Sequence, residues 1–257
     1  MAFDKLREYC GVVAVHNHPE ASTLAYLGLH QLQHRGQESA GIVSSDGERL
    51  KTHRAMGLVA DIFTEPVLET IRGSIAIGHN RYSTTGDSAL LNAQPIMVDC
   101  NKGMIALAHN GNLVNAWDIR ARLEAQGSIF QTTSDTEVIV HLIAQSKEHT
   151  LPEAVCDALR RIEGAFSLVL MTRDRVFAVR DPRGFRPLCM GRIRNGAGPD
   201  KDTIVFASET CAFDIIGATY ERDVKPGEMM VVGPEGVSSR YFATALKQSN
   251  CIFEHVY

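Results

Sequence analysis

The segment that decides the fold is residues 10–15, which read Cys-Gly-Val-Val-Ala-Val. An unbroken run of small and apolar residues predicts a short buried strand over residues 11–15. Cys10 stands at the mouth of that strand, directly after a polar nonapeptide, residues 1–9, in which acidic and basic side chains are mixed. A thiol at the end of a buried strand is the first candidate for chemistry in this sequence.

Beyond that strand, two groups of predicted strands flank a central group of helices. Short apolar runs bounded by turn residues predict strands at residues 42–45, 49–53, 74–78, 104–108, 165–171, 175–179, 204–207 and 228–232. Apolar residues at helical spacing follow Pro19, Ser134 and Thr150. Glu137 and Glu153 lie three residues after the two hydroxyls, as capping boxes require. The order predicts a single α+β domain in which antiparallel sheets pack together and are covered by helices.

The composition restricts the class of protein. The chain has 257 residues, of which 44% are hydrophobic and 22% charged, as is ordinary for a soluble globular domain. A net charge of −4 and a pI near 6.2 argue against a nucleic-acid partner. No apolar run approaches the roughly 18 residues that span a bilayer, and residues 1–9 lack the apolar core of a secretory signal. We therefore expect no membrane partner and a cytoplasmic location.

The cysteines and histidines show no metal-binding spacing. The six cysteines include no Cys-x-x-Cys pair, and the ten histidines include no His-Glu-x-x-His pattern. These spacings argue against a disulfide framework and against a zinc site built from this chain alone. We expect no cofactor within this domain, and only Cys10 and Cys251 stand out as candidates for chemistry.

A lone cysteine is more often a packing residue than a nucleophile, so Cys10 has to be weighed against alternatives. A Cys-x5-Arg phosphatase loop is excluded because the residue six after Cys10 is His16, and a papain-like Cys-Trp context is absent. The remaining option is cleavage of the bond between Tyr9 and Cys10. The new α-amino group, with a reference pKa of about 7.7–8.0, could then act as general base to its own thiol.

Two further motifs have both a structural and a functional reading. Arg81, in the segment His79–Thr84 after a predicted strand, is either a solvated or paired surface residue or a fork for a carboxylate. Asn110 and Gly111 form a tight-turn dipeptide, or they aim a side-chain amide and a backbone N–H at one point as an oxyanion hole. The residues alone leave both questions open.

Two other polar clusters are less informative by themselves. Asp135, between Ser134 and Thr136, is fully explained as part of a helix N-terminus. Arg35 lies in a polar cluster at the end of the first helix, which is a helix cap, an exposed loop or a loop that faces a substrate. The residues alone assign no function to either cluster.

Five motifs occur in a fixed order along the chain. They are residues 10–13 (Cys-Gly-Val-Val), 32–38 (Leu-Gln-His-Arg-Gly-Gln-Glu), 79–84 (His-Asn-Arg-Tyr-Ser-Thr), 109–113 (His-Asn-Gly-Asn-Leu) and 134–137 (Ser-Asp-Thr-Glu). Together they resemble the class II, N-terminal-nucleophile glutamine amidotransferases. Within that family the resemblance is closest to the amidophosphoribosyltransferases, because residues 181–188, 207–214 and 251–257 also match them. It covers essentially the whole chain.

The resemblance implies a fold, a processing step and a set of site residues. The fold would be the four-layer αββα sandwich of the N-terminal-nucleophile hydrolases, with residues 1–9 as an autocatalytically removed propeptide and residues 10–257 as a type 2 glutamine amidotransferase domain. The implied roles are nucleophile for Cys10, oxyanion donors for Asn110 and Gly111, ligands of the glutamine α-carboxylate for Arg81 and Thr84, ligand of the α-ammonium for Asp135, and closure of a loop over glutamine for Arg35.

The resemblance also implies partners beyond this domain. Ammonia would pass to a phosphoribosyltransferase domain that converts phosphoribosyl pyrophosphate to 5-phosphoribosylamine at the start of purine synthesis. Because the family continues for roughly two hundred more residues, we expect the chain to be a fragment. The full-length enzyme is expected to be a homo-oligomer that uses Mg²⁺. In one branch of the family a [4Fe-4S] cluster takes a cysteine at the position of Cys251, for which a structural role is the alternative.

Two other functions remain open at this stage. The chain could be the glutaminase domain of a different class II synthase, which shares the chemistry but changes the acceptor of ammonia. It could also be an unprocessed, non-catalytic module that binds glutamine, in which case residues 1–9 stay attached.

Overall fold

Two stacked antiparallel sheets form the centre of a computed structural model, which describes residues 10–82, 89–196, 202–247 and 249. One hydrophobic cluster lies between the sheets, and a second and a third lie between each sheet and its own helices. This order of helix, sheet, sheet and helix layers confirms the predicted α+β class and its αββα layering.

The first sheet holds the strand that follows Cys10 at its centre. Over the described residues its strands are, in spatial order, β11 (Thr219–Asp223), β9 (Cys189–Ile193), β10 (Thr203–Ala207), β1 (Gly11–His16), β4 (Ile75–Arg81), β2 (Ser39–Ser45) and β3 (Leu50–Met56). Every neighbouring pair is antiparallel. β1 is therefore paired at both edges. One of its faces contributes to the core between the sheets and the other to the core beneath the helices, which is why its sequence is apolar without interruption.

The second sheet faces the first across the central core. Within the described part of the chain its strands are, in spatial order, β13 (Gly236–Tyr241), β12 (Glu228–Gly233), β8 (Val176–Arg180), β7 (Gly164–Met171), β6 (Gly103–Leu113) and β5 (Ile96–Cys100). These pairs are antiparallel as well. β5 begins at Ile96, which pairs with Leu107. The last six residues of β6 therefore have no neighbouring strand on that side among the described residues.

The helices cover the two outer faces. They are α1 (Ala21–Gln31), α2 (Val59–Ile62), α3 (Glu65–Thr70), α4 (Ala116–Ala125), α5 (Thr136–Gln145), α6 (Leu151–Leu159) and α7 (Cys211–Ile216). The helices α1, α2 and α7 pack on the first sheet, whereas α4, α5 and α6 pack on the second. No helix in the described ranges is long and apolar enough to cross a membrane.

Of the two interpretations of Asn110 and Gly111, the tight turn is wrong. Both residues lie inside β6, which is longer than the predicted strand at 104–108, and they pair in register with Ser167 and Phe166 of β7. Gly111 does adopt the positive φ that the dipeptide favours, +148°, but it uses that freedom to pass close to β7. A Cβ at Gly111 would overlap the carbonyl oxygen of Ala165.

The two predicted capping boxes have different outcomes. The Thr150 hydroxyl accepts a hydrogen bond from the N–H of Glu153 at 3.4 Å, as predicted. The box at Ser134 does not form, because the carboxylate of Glu137 instead accepts the N–H groups of Gln131 and Thr132, at 2.8 and 2.7 Å. A side chain of α5 therefore holds the preceding loop in place, and no capping box forms at the start of the helix.

Candidate active site

Cys10 lies at one end of the space between the two sheets. Side chains alternate along β1, and Val12 and Ala14 point into the core between the sheets. Cys10 precedes Val12 by two residues and shares its face. Its Sγ lies 3.5 Å from both the backbone N and the carbonyl O of Tyr82, just beyond the end of β4.

The surroundings of Cys10 keep its thiol protonated. Loss of hydration on burial raises the pKa of the thiol, and the backbone hydrogen bond to Tyr82 and the charges of Arg81, Arg186 and Arg35 oppose this only in part. A thiol with a raised pKa is a weak nucleophile near pH 7, because the thiolate is the reactive form. Chemistry at Cys10 therefore requires a base within reach of Sγ.

Arg81 is buried on the same side of the sheet. In β4, Ile75 and Ile77 point into the core between the sheets, so His79 and Arg81 follow them on that face. Arg81 is 3% exposed, and its Nη1 lies 3.5 Å from Oε1 of Glu38. The guanidinium is thus an interior charge, not a solvated surface group.

Asn110 lies on the opposite sheet, on the strand face that packs toward the sheet of Cys10. In β6, Ala106 and Ala108 point into the core between the sheets, and Asn110 continues that row. Its side chain is 1% exposed, and neither Nδ2 nor Oδ1 has a hydrogen-bond partner in the described part of the chain. A buried amide without partners costs about 1–3 kcal/mol for each unsatisfied group. An unsatisfied amide at this position is therefore a candidate ligand for a substrate.

Other buried polar atoms lie on the same facing surfaces. Within the described ranges, Ser39 Oγ on β2, His79 Nδ1 on β4 and Ser167 Oγ on β7 also have no hydrogen-bond partner. Because side chains alternate along a strand, each of these residues lies on the strand face that contributes to the core between the sheets. The space between the sheets is therefore apolar over most of its length and polar at the end that holds Cys10.

Gly111 lies in the part of β6 whose outer edge is not paired with β5. The amides on either side of it donate to side chains outside the strand ladder. The N–H of His109 donates to Gln94 Oε1 at 2.7 Å, and the N–H of Leu113 donates to Asp135 Oδ2 at 2.9 Å. The direction of the N–H groups alternates along a strand. The N–H of Gly111 therefore points to the same edge of β6 as those of His109 and Leu113.

Asp135 connects α5 to β6. Although it occupies the N-cap position of α5, its side chain makes no capping hydrogen bond. Oδ2 instead accepts the N–H of Leu113, and Oδ1 lies 3.7 Å from Nδ1 of His109. The structure therefore replaces the helix-cap explanation of this carboxylate with a position beside the oxyanion candidates.

Arg35 contacts the nucleophile residue itself. It ends a short 3₁₀ turn, Gln33–Arg35, and is 3% exposed. Its Nε donates to the carbonyl oxygen of Cys10 at 2.9 Å, and its Nη1 forms an ion pair with Oε1 of Glu209. Closure of this region over glutamine stays a prediction.

Sequence reasoning did not single out Glu209 individually. Its carboxylate joins the ion pair with Arg35 and lies 3.1 Å from Nε2 of His34. Burial acts to raise the pKa of Glu209, but its contacts with Arg35 and His34 outweigh this and lower it. The adjacent Ser208 fastens the same loop to β1, because its Oγ accepts the N–H of Val12 at 3.0 Å.

The loop from Arg180 to Leu188 was also missed as a site element. The buried Asp181 accepts backbone N–H groups of Arg183 at 2.8 Å and Phe185 at 2.9 Å, and burial raises its pKa. This bonding fixes a loop that carries Arg186, which is 4% exposed. The positive charge of Arg186 is one of those that act to lower the pKa of Cys10.

Several predicted site elements fall outside the described residues. These are residues 1–9, Thr84 and Cys251. Among the residues that the structure does describe, no group of three or more His, Cys, Asp or Glu side chains could hold a metal ion.

The chain is similar to known glutamine-using enzymes. A family model described as "Glutamine amidotransferase domain" matches residues 79–214. Amidophosphoribosyltransferase 3, chloroplastic, of Arabidopsis thaliana is 53% identical over 99% of this chain and 47% of its own length. Amidophosphoribosyltransferase of Bacillus subtilis is 46% identical over 98% of this chain and 52% of its own length.

A solved structure agrees with these matches. Glutamine phosphoribosylpyrophosphate amidotransferase from B. subtilis, complexed with ADP and GMP, superposes with a TM-score of 0.89 at 45% identity, over 96% of this chain and 52% of that chain. This confirms the N-terminal-nucleophile type of the fold. The chain spans about half the length of the relatives it matches. Since the family model covers more than half of this chain, the chain belongs to the glutamine amidotransferase domain family.

Proposed function

We propose that this chain hydrolyses the side-chain amide of glutamine, with Cys10 as nucleophile once residues 1–9 are removed. One observation carries the proposal: the buried amide of Asn110, without a partner among the described residues, lies on the strand face that looks toward the face of Cys10. An electrophilic carbonyl between the two would meet sulfur on one side and a hydrogen-bond donor on the other. That arrangement is suited to acyl transfer.

The first step needs a base, and the free α-amine of Cys10 supplies it. In the unprocessed chain this nitrogen is an amide and cannot accept a proton. After processing, the amine takes the thiol proton as Sγ attacks the glutamine carbonyl carbon. The side chain of Asn110 and the N–H of Gly111 hold the resulting oxyanion. The tetrahedral intermediate collapses to a thioester as ammonia leaves with the proton, and water then releases glutamate.

The α-groups of glutamine have two candidate binders of opposite charge. The buried guanidinium of Arg81 is suited to the carboxylate, and Asp135 is suited to the ammonium. Thr84, three residues after Arg81, is proposed as a second ligand of the carboxylate. Arg35 is assigned to hold Cys10 in place, on the strength of its bond to the Cys10 carbonyl.

We extend the proposal to the longer protein of which this sequence would be a part. Residues 1–9 are proposed as the propeptide and residues 10–257 as the glutaminase domain. As the family resemblance of the sequence implies, ammonia would be transferred to phosphoribosyl pyrophosphate to give 5-phosphoribosylamine in a Mg²⁺-dependent homo-oligomer. In the branch of the family that holds a [4Fe-4S] cluster, Cys251 would be one of its ligands, and a structural role is the alternative. A cytoplasmic location stays a prediction, and several plant relatives are named chloroplastic.

Intact mass and active-site labelling test the proposal. We expect purified active chain to begin at Cys10, to release glutamate from glutamine, and to be labelled once, on Cys10, by a diazoketone analogue of glutamine. The Cys10→Ser variant should not be labelled. Retention of residues 1–9 together with glutamine binding but no turnover would instead support the non-catalytic module.

A further inference from the structure

A hydrogen bond between two buried residues connects the two sheets directly behind the candidate site. Nε2 of His79 on β4 lies 3.1 Å from the carbonyl oxygen of His109 on β6. Because a carbonyl can only accept, Nε2 carries the proton of a neutral ring. Burial lowers the pKa of His79 to about 3, so the ring stays neutral near pH 7. The bond fastens β4 to β6 at the polar end of the space between the sheets.

Further contacts continue from β6 to the helix layer. The N–H of His109 donates to Gln94 Oε1 at 2.7 Å, and Gln94 Nε2 donates to Thr136 Oγ1 at 3.0 Å. Nδ1 of His109 also lies 3.1 Å from Thr136 Oγ1. His79, Gln94, His109 and Thr136 are all buried, and we call these four residues the interlayer network.

The interlayer network lies beside every proposed glutamine contact that the structure describes. His79 precedes Arg81 by two residues on the same face of β4. His109 directly precedes Asn110 on β6, and α5 begins directly after Asp135. The groups proposed for the carboxylate, the oxyanion and the ammonium therefore come from three layers. Hydrogen bonds of the interlayer network span those layers.

We propose that His79 is a positioning residue for glutamine hydrolysis, which acts by fixing the distance between Arg81 and Asn110. This inference rests on the function proposed above. Glutamine held by its α-groups presents its side-chain carbonyl at a set distance, and a displacement of about 1 Å can cost ~100-fold in rate. The bond from His79 to the carbonyl that precedes Asn110 sets this distance through the backbone.

Three variants separate positioning from stability, each in the chain whose first residue is Cys10 by intact mass. His79→Leu removes the donor and keeps a similar volume. His79→Gln keeps an N–H donor near the position of Nε2. Ile75→Ala is the matched control, because Ile75 lies on the same face of the same strand and removing its side chain costs core packing without touching His109.

Two readouts are measured for each variant. The first is kcat and KM for glutamine. The second compares the rate of Cys10 labelling by the diazoketone analogue of glutamine with the rate for iodoacetamide, which requires only an accessible thiol. We expect His79→Leu to lower kcat by roughly 10- to 100-fold while KM changes by less than about threefold. Labelling by the analogue should slow in proportion, and labelling by iodoacetamide should not change.

The outcomes distinguish a positioning role of His79 from a general loss of core packing. Recovery of most of the activity in His79→Gln, with an unaffected kcat in Ile75→Ala, supports the proposal. A kcat in folded His79→Leu equal to the parent value overturns it, as does an equal loss in Ile75→Ala. Should His79→Leu fail to fold, His79→Asn decides, since its shorter amide cannot reach the His109 carbonyl: activity equal to His79→Gln overturns the proposal, and a lower kcat supports it. If the parent chain itself does not hydrolyse glutamine, the proposed function has failed instead.

Discussion

The guanidinium of Arg35 donates from Nε to the backbone carbonyl oxygen of Cys10 at 2.9 Å. Glu209 holds that guanidinium through an ion pair. The residue proposed as nucleophile is therefore held by its backbone, while its sulfur faces the space between the sheets. A free N-terminal residue would otherwise be prone to fraying, because chain ends are poorly ordered unless tied down.

This relationship predicts a role for Glu209 in activity. In Glu209→Gln the neutral amide holds Arg35 less firmly, so we expect kcat to fall about tenfold with a smaller change in KM. Glu235→Gln is the matched control, because it makes the same substitution in an exposed carboxylate that pairs with Arg175. Steady-state kinetics check both variants, and equal kcat values for Glu209→Gln and the parent would rule out this role.

Removal of the Asn110 amide should weaken the transition state more than the ground state. We expect Asn110→Ala to lower kcat by ~10²–10³, as loss of one oxyanion donor does in other acyl-transfer enzymes, with little change in KM. Asn115→Ala, which removes a surface amide bonded to the Arg161 carbonyl, should leave kcat unaltered. An unchanged kcat in Asn110→Ala would show that the oxyanion assignment is incorrect.

Replacement of Arg81 by lysine should affect glutamine binding. An ammonium cannot reproduce the two parallel N–H bonds of a guanidinium, so we expect KM to rise by roughly tenfold or more while kcat falls less. The substrate supplies the control: the α-methyl ester of glutamine lacks the carboxylate and should be used about equally well by Arg81→Lys and the parent. If the parent shows no preference for free glutamine over the ester, Arg81 is not the carboxylate ligand.

The stability of the fold should fall as the pH is lowered below about 6.5. Burial lowers the pKa of His79 to about 3 in the folded chain, against an ordinary value of 6.5, so between these values the unfolded state binds more protons. Stability then increases with pH, by at most ~1.4 kcal/mol per pH unit for one proton. Urea unfolding of the parent and of His79→Gln at pH 7 and 5 measures the effect. The variant should show the smaller pH dependence, and an identical dependence contradicts the prediction.

Gly111 should tolerate no side chain. In Gly111→Ala the added Cβ meets the Ala165 carbonyl and the backbone keeps φ near +148°, so we expect a loss of about 2–4 kcal/mol in the free energy of unfolding. Gly127 has φ +91° and open space around its Cα, so Gly127→Ala carries only the conformational cost, about 1 kcal/mol. Equal losses in the two variants would mean that the contact with β7 is unimportant.

Much of the fold could be predicted from local patterns. The strand after Cys10 and the hairpin at Asp46 and Gly47 follow from apolar periodicity and turn chemistry, and both are present. The pattern failed at Asn110 and Gly111, because a dipeptide that favours a positive φ does not reveal whether the chain reverses or passes a neighbouring strand. Only the pairing with β7 distinguishes the two.

The candidate site was predicted unevenly. Cys10, Arg81, Asn110 and Asp135 were found through motifs, and their grouping in one site relied on a family resemblance. The importance of Glu209 was not found, because an ion pair with Arg35 across 174 positions leaves no local signal. Its only sequence signal was membership of the matched segment 207–214.

The sequence by itself determined where the buried strands lie, because short apolar runs, continuous or alternating, that are bounded by turn residues are typical of strands. It also determined which residue types were available for acyl chemistry. The tertiary structure decided the rest: the stacking of two sheets turned alternate residues of β1, β4 and β6 toward one another. That stacking placed a thiol, a guanidinium and an amide without a described partner at the same end of the core. The physical reason is that the alternation of side chains along a strand is a local property. Which other strands a given face packs against is decided by burial between residues far apart in the sequence.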